Sequence, residues 1–502
     1  MLASLRSAAL FGVDACPVHV EVDVSFGFPS FTMVGLPDAS VRESRDRVKT
    51  AIRNSGFEFP AHRVTVNLAP ADVRKGGSAF DLPIALGILA AQGIVERREI
   101  GDVVVLGELS LDGTIQGARG VLPIAAAARR EGLAAVLLPR SNAGEAAVVE
   151  GLRVVAVSSL SEAVGALNDP AAVPPPPPVP PAAPVEGVAD LADVRGQLLA
   201  RRALEVACAG AHNLLLVGPP GSGKTMIARR VPGILPPLTL DEALEVTSVH
   251  SVAGLLVAGS GLVPHRPFRA PHHTISNAAL VGGGPQPRPG EVSLAHHGVL
   301  FLDEMLEFNR QVLEVLRQPL EEGRVAIARA ARTAVFPARF VLVGAMNPCP
   351  CGYRGDPLHE CRCTPLQVQR YRNRLSGPLR DRIDLIIEVP ALPVEALVGA
   401  PDGESSVVVR ERVIAARARQ ALRFGNGTVR VNAALSGRAL RQHCQLDRQG
   451  VRLLETAIRR LALSARGYDR VLKVARTIAD LAGVDAVAGE HLAEALQYRI
   501  VE

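Results

Sequence analysis

The sequence predicts an α/β fold, a parallel sheet flanked by helices, and three short apolar runs predict it. Asn213-Leu-Leu-Leu-Val217, Val299-Leu-Phe-Leu302 and Phe340-Val-Leu-Val343 each have the length and composition of a buried strand, and each runs into a polar segment. Open α/β sheets bind ligands at the carboxyl ends of their strands, so chemistry is expected just after these runs.

The first run leads into Gly218-Pro219-Pro220-Gly221-Ser222-Gly223-Lys224-Thr225, and Met226-Ile-Ala-Arg-Arg230 then opens a helix. Glycines at a strand-to-helix turn let backbone N–H groups close around phosphates, aided by the positive end of the helix. The spacing matches a nucleotide-binding P-loop in the context that motif requires. Lys224 is expected to reach the β- and γ-phosphates of ATP, and Thr225 to ligate Mg²⁺. The second run ends in Asp303-Glu304. Asp303 is assigned to the Mg²⁺ shell and Glu304 to polarising the attacking water. The third passes through Gly344-Ala-Met to Asn347, a polar residue placed to orient that water. Three such strand tips predict a motor ATPase of the AAA+ type rather than a kinase or small GTPase.

At 502 residues and 48% hydrophobic content, the chain is expected to form two or three domains with sizeable cores. No apolar run is long enough to span a bilayer, and Met1–Leu10 lacks the sustained apolar segment of a signal peptide. The expectation is a cytoplasmic protein without a membrane partner. Seven cysteines, four of them between 349 and 363, do not resemble a disulfide framework, which fits a reducing compartment. The +5 charge and pI near 9.0 are compatible with a polyanionic partner, but charge spread over so large a surface focuses little potential.

Asp169-Pro-Ala-Ala-Val-Pro-Pro-Pro-Pro-Pro-Val-Pro-Pro-Ala-Ala-Pro184 favours extended polyproline II and reads as a semi-rigid spacer. As a linker (166–187) it separates an N-terminal domain (1–165) from an ATPase, in which a core (188–395) and a helical lid (396–502) are expected.

In the N-terminal part, Val18-His-Val-Glu-Val-Asp-Val24 and Arg63-Val-Thr-Val-Asn-Leu68 alternate with period two, and Leu82 to Ala91 is apolar over helical length. Ala69-Pro-Ala-Asp-Val-Arg-Lys75-Gly-Gly-Ser78-Ala79-Phe-Asp81 and Leu106-Gly-Glu-Leu-Ser-Leu-Asp-Gly113 through Gly120-Val-Leu122 resemble the protease domain of the Lon family. That resemblance implies an α+β domain. The position of the family's serine nucleophile falls on Ala79 and that of its lysine base on Leu122. Ser78 is one residue out of register, and a serine without a base in reach is a poor nucleophile, so peptidase activity is not expected.

Cys349-Pro-Cys351 and Cys361-Arg-Cys363 supply four soft ligands in two close pairs, with Gly352 and Pro357 to turn the chain between them. Four thiolates suit structural Zn²⁺ and leave no open position for catalysis, although the commoner spacing is CxxC. Segment 265–297 holds five histidines. Adjacent histidines such as His272-His273 and His296-His297 seldom converge on one ion, so they are read as structural or pore-loop elements.

Across nearly its whole length the chain resembles the YifB/ComM family of magnesium-chelatase-like AAA+ proteins. Val34-Gly-Leu-Pro-Asp-Ala-Ser-Val-Arg-Glu-Ser44, Asn67-Leu-Ala-Pro-Ala-Asp72, Asp193-Val-Arg-Gly-Gln197, Phe268-Arg-Ala-Pro-His-His-Thr274, Asn347-Pro-Cys-Pro-Cys-Gly352, Ser376-Gly-Pro-Leu-Arg-Asp-Arg-Ile-Asp384 and Lys473-Val-Ala-Arg-Thr-Ile-Ala-Asp480 carry it. Arg380 departs from it, standing where an apolar residue is expected. The resemblance implies a hexameric ring ATPase, which in ComM drives branch migration of DNA junctions while transforming DNA is integrated. The partners it implies are single-stranded and branched DNA and further copies of the chain.

The same resemblance makes Arg382 the finger that reaches a neighbouring subunit's γ-phosphate, and Arg466 the nucleotide sensor of the lid, with Arg470 as the alternative. Glu322-Gly-Arg-Val-Ala-Ile-Ala-Arg329-Ala-Ala-Arg332-Thr-Ala-Val335 reads as a hairpin with a basic tip, in the position where helicase-like rings point a hairpin into the pore. Arg329 and Arg332 would follow a phosphate backbone without reading bases. The other functional class compatible with these residues is a protein-remodelling ATPase like the motor subunit of magnesium chelatase.

Overall fold

The computed structural model describes residues 1–499 except 72–74, 76, 97–99, 173, 175–188, 285–286, 329–332, 358, 393–402, 426–428 and 462. Most of the proline-rich spacer therefore lies outside the described residues, as do Arg329 and Arg332.

The chain opens with a long hairpin. Strands Leu2–Phe11 and Asp14–Ser25 pair antiparallel from Leu2 opposite Asp23 to Phe11 opposite Asp14. Period-two alternation drives it: Val18, Val20 and Val22 are buried and the residues between them are not. Arg63–Ala69 pairs antiparallel with the second strand. Ser30–Val34 lies outside it, while Val103–Val105, Ala135–Pro139 and Arg153–Val157 extend the other side into a seven-stranded sheet. Helix Asp81–Ala91 is apolar from Leu82 onward and buried along its entire length, and it packs on the two hairpin strands. Its buried Asp81 accepts from Arg47 Nε at 2.9 Å and Nη2 at 3.2 Å. Ala79 sits in the single turn Ser78–Phe80, and Leu122 is buried in helix Val121–Arg130.

The second sheet has five strands, in the order Phe268–Arg269, Val299–Leu302, Val341–Met346, Leu214–Val217, Leu385–Glu388, and every pairing is parallel. Two of the three predicted runs end where expected. The third continues through Gly344, Ala345 and Met346, because these residues find ladder partners on neighbouring strands: Gly344 lies opposite both Leu215 and Leu302. The helix after the P-loop is shorter than expected, Lys224–Ala228, and a separate turn follows over Val231–Ile234. Pro232 has no N–H to continue the ladder, which breaks it there.

Helices Ser406–Phe424, Gly437–His443, Arg448–Leu461, Ala465–Leu481 and Gly489–Gln497 form the C-terminal region. Their apolar faces share one core with helix Leu198–Gly210 and the sheet. Buried Asp480 accepts from Arg423, Arg476 and Asn432, so the charge is paired inside that bundle. No described helix is long and apolar enough to cross a membrane.

The N-terminal domain rests directly on the part of the chain that holds the second sheet. Leu10, Phe11 and Val13 at the tip of its first hairpin pack with Val252, Ile327, Ala334 and Phe336. Beside them, Ser251 Oγ donates to Glu145 Oε2 at 2.6 Å, and Gly120 N donates to Ser251 O at 3.1 Å. Glu145 is held above the ordinary carboxylate range by burial, which the hydrogen bonds from Ser251 and Asn142 partly oppose.

Candidate active site

The P-loop is threaded so tightly that its first residue must be glycine: a Cβ on Gly218 would lie 2.1 Å from Val389 O. Lys224 folds back over the loop, where Nζ donates to Gly218 O and Pro219 O, both at 2.7 Å, and to Asn347 Oδ1 at 3.3 Å. Burial lowers Lys224 to about 8 against the opposing pull of Asp303 and Glu304. Thr225 Oγ1 donates to Asp303 Oδ2 at 2.7 Å. Strands that are adjacent in space but distant in sequence thus bring Lys224, Thr225, Asp303 and Asn347 to one sheet edge, at the point where the strand order reverses.

Glu304 stands at the same edge with its side chain largely exposed and 3.9 Å from His273 Nδ1. Its backbone is left-handed, with φ 48° and ψ 46°. Such a conformation costs about 1–3 kcal/mol in a non-glycine residue and aims the carboxylate away from the strand direction. Gln197, with φ 51°, is another of the five non-glycine residues with positive φ among those described. Its Nε2 donates to Pro390 O at 2.8 Å and Ser222 O at 3.3 Å, tying the P-loop to the exit of the last sheet strand. Sequence reasoning missed this role; the only signal was its place in Asp193-Val-Arg-Gly-Gln197.

Arg382 and Arg466 are not part of this edge. Arg382 is buried, donates through Nη1 to Pro378 O at 2.7 Å, and pairs through Nη2 with Glu321 Oε2. Arg466 Nη2 lies 3.8 Å from the other oxygen of Glu321. Arg470 is committed elsewhere, to Asp384 at 2.6 Å. Buried Asp384 also accepts from Asn213 N and lies 3.4 Å from His212, and the hydrogen bond with His212 and the charge of Arg470 outweigh burial to hold it at about 2.

The predicted hairpin is present: Arg324–Ala328 pairs antiparallel with Thr333–Pro337 up to Ala328 opposite Thr333. The proposed DNA contacts Arg329 and Arg332 fall between these strands, outside the described residues.

The four clustered cysteines converge, with every sulfur within 4.8 Å of the others. Cys349 and Cys351 are 3.4 Å apart, and Cys361 lies 3.7 Å from each. A tetrahedron of 2.3 Å zinc–sulfur bonds has edges of about 3.8 Å, so the donor set fits Zn²⁺. The cluster abuts the P-loop: Gly352, with φ 89°, lies so close that a Cβ would be 2.7 Å from Pro220 Cδ.

His296 and His297 also converge, both placing Nε2 at 2.8 Å from Glu245 Oε2. His296 Nδ1 accepts from Arg339 N at 3.0 Å, which puts the ring hydrogen on Nε2 and leaves no lone pair there for a metal. The group is a clamp between helix Leu240–Ala253 and the turn leading into strand Val299–Leu302, which Asp303 follows.

Three family profiles match the chain: "Magnesium chelatase, subunit ChlI" over residues 190–397, "Subunit ChlI of Mg-chelatase" over 20–142 and "Magnesium chelatase, subunit ChlI C-terminal" over 403–499. The chain is 45% identical to the uncharacterized protein YifB of Salmonella typhimurium, over all of this chain and 97% of that one. It is 46% identical to the competence protein ComM of Haemophilus influenzae, over 99% of this chain and 97% of that one. A more distant likeness, 27% identity over 40% of this chain and 47% of the other, is to the Holliday junction branch migration complex subunit RuvB of Thermosipho melanesiensis. With a parallel-sheet ATPase core, a helical C-terminal region and full-length identity of this order, the chain belongs to the YifB/ComM family of magnesium-chelatase-like AAA+ ATPases.

Proposed function

We propose that the protein is an ATP-driven motor that moves branched DNA through a ring of six copies, promoting branch migration when transforming DNA is recombined. The observation that carries this reading is the hairpin of strands Arg324–Ala328 and Thr333–Pro337, which runs almost directly into strand Val341–Met346, one residue before Asn347. A basic tip there would be coupled mechanically to the hydrolysis site. The names of two relatives, a competence protein and a Holliday junction branch migration subunit, support the same direction.

In this reading the backbone of Gly218 to Gly223 and the Lys224 ammonium hold the phosphates of ATP, and Thr225 and Asp303 would hold Mg²⁺, which would supply positive charge against the negative phosphates. Glu304 takes the proton of the attacking water while Asn347 orients it. Arg382 acts across the subunit interface, with Arg466 beside it at the shared partner Glu321. Arg329 and Arg332 grip the DNA backbone, and Cys349, Cys351, Cys361 and Cys363 hold a structural Zn²⁺ that braces the P-loop through Gly352. A cytoplasmic setting belongs to the same proposal, since four thiolate ligands require reducing conditions.

The family profiles, all of chelatase subunits, favour one other reading, a motor acting on a partner protein. ATP hydrolysis by purified protein with and without single-stranded and junction DNA separates them. Stimulation supports the DNA motor; no stimulation and no DNA affinity at low salt supports the remodelling ATPase.

A further inference from the structure

We propose that Glu321 is a built-in counter-anion that masks Arg382 and Arg466 in the DNA-free subunit and is drawn off them when the hairpin moves. The inference rests on the reading above, in which Arg382 serves a neighbour's phosphate and the hairpin meets DNA.

One carboxylate holds both arginines: Oε2 accepts from Arg382 Nη2, and Oε1 lies 3.8 Å from Arg466 Nη2. The other terminal nitrogen of Arg382 is taken by Pro378 O, and its buried Nε has no room to serve an incoming group. The nitrogen free to reach a phosphate is therefore the one that Glu321 occupies. The acid is also the outermost of the pair, with its side chain 57% exposed against 9% for Arg382. A γ-phosphate approaching from another subunit meets this carboxylate first, and like charges at such range repel. Both arginines in turn hold Glu321 below the ordinary carboxylate range, Arg382 by its hydrogen bond most of all, so the acid stays ionised.

The position of Glu321 in the chain supplies the release. It lies in the last turn of helix Arg317–Glu322, and Gly323 then leads into the first hairpin strand at Arg324. Ala338 N donates to Gly323 O at 2.8 Å and closes the base of the hairpin on that residue. A hairpin displaced along the pore must carry Gly323 with it and so turn the end of the helix that bears Glu321.

Glu321→Gln keeps the size and removes the charge. Measured on purified, assembled protein without DNA, its ATP hydrolysis should rise about two- to fivefold, the scale of one partly exposed charge pair. The rate at saturating single-stranded oligonucleotide should stay at the wild-type value, so the stimulation ratio falls by the same factor. In an Arg382→Ala background the substitution should change nothing. A DNA-free rate that is unchanged or lower in Glu321→Gln, with Arg382→Ala inactive as expected, overturns the masking alone. Normal hydrolysis by Arg382→Ala overturns instead the finger assignment on which it rests.

Discussion

Thr225 donates its hydroxyl to Asp303 Oδ2 across 2.7 Å, a contact between residues 78 positions apart. A loop residue and a strand-tip residue that would share one cation are thereby in register, and Lys224 is joined to Asn347 beside them. Lys224→Ala should abolish ATP binding. Glu304→Gln should retain binding and slow hydrolysis by about 10² to 10⁴, the usual worth of a general base. Equilibrium binding of a fluorescent ATP analogue and single-turnover hydrolysis check the two; near-normal turnover in the Glu304 variant would remove its assignment.

Arg382 is held by Glu321 and Pro378 and not by the P-loop residues, so on the proposed reading its loss should spare binding and stop hydrolysis. Mixing Arg382→Ala with Lys224→Ala subunits should recover part of the activity, because each supplies across an interface what the other lacks. Mixed assemblies that form and stay inactive contradict action between subunits.

Protein purified without chelator under reducing conditions should carry about one zinc per chain. Removing it should lower ATP affinity as well as local stability, because Gly352 is wedged against Pro220 of the P-loop. Elemental analysis that finds no zinc removes the site. A metal-free protein that binds ATP normally removes only its link to the loop.

The His296 clamp gives stability a pH dependence of known sign. Burial lowers His296 from 6.5 to about 4, so the unfolded chain takes up its proton first on acidification. Its contribution is complete above about pH 6.5 and is lost as pH falls toward 4, by up to about 3 kcal/mol. Thermal melts between pH 7.5 and about 4.5 should therefore show a shallower decline for His296→Gln than for wild type, from a lower starting point. Equal slopes would mean that another group sets the acid limit.

The phosphate loop, Asp303-Glu304 and the four cysteines could be read from the sequence because each lies within one short segment. Contacts that join distant segments left no such trace. Gln197 reaches Pro390 across 193 positions and Arg382 reaches Glu321 across 61, and nothing local marks either partner. The third sheet strand was underestimated for a related reason: Gly344, which lies beyond the apolar run that ends at Val343, becomes strand because neighbours on both sides complete its ladder. In the histidine segment, the convergence of His296 and His297 depends on Glu245 from a separate helix.

Strand exchange at a synthetic four-way junction tests the central claim most directly, comparing wild type with a double variant in which Arg329 and Arg332 are neutralised. The wild type should migrate the junction with ATP and not without it. The double variant should keep its DNA-free hydrolysis but lose junction movement. Its DNA binding should weaken about equally for all sequences, with a salt slope reduced by close to one for each phosphate contact removed. A wild-type protein that hydrolyses ATP yet leaves the junction unmoved and shows no affinity for DNA at low salt would contradict the account.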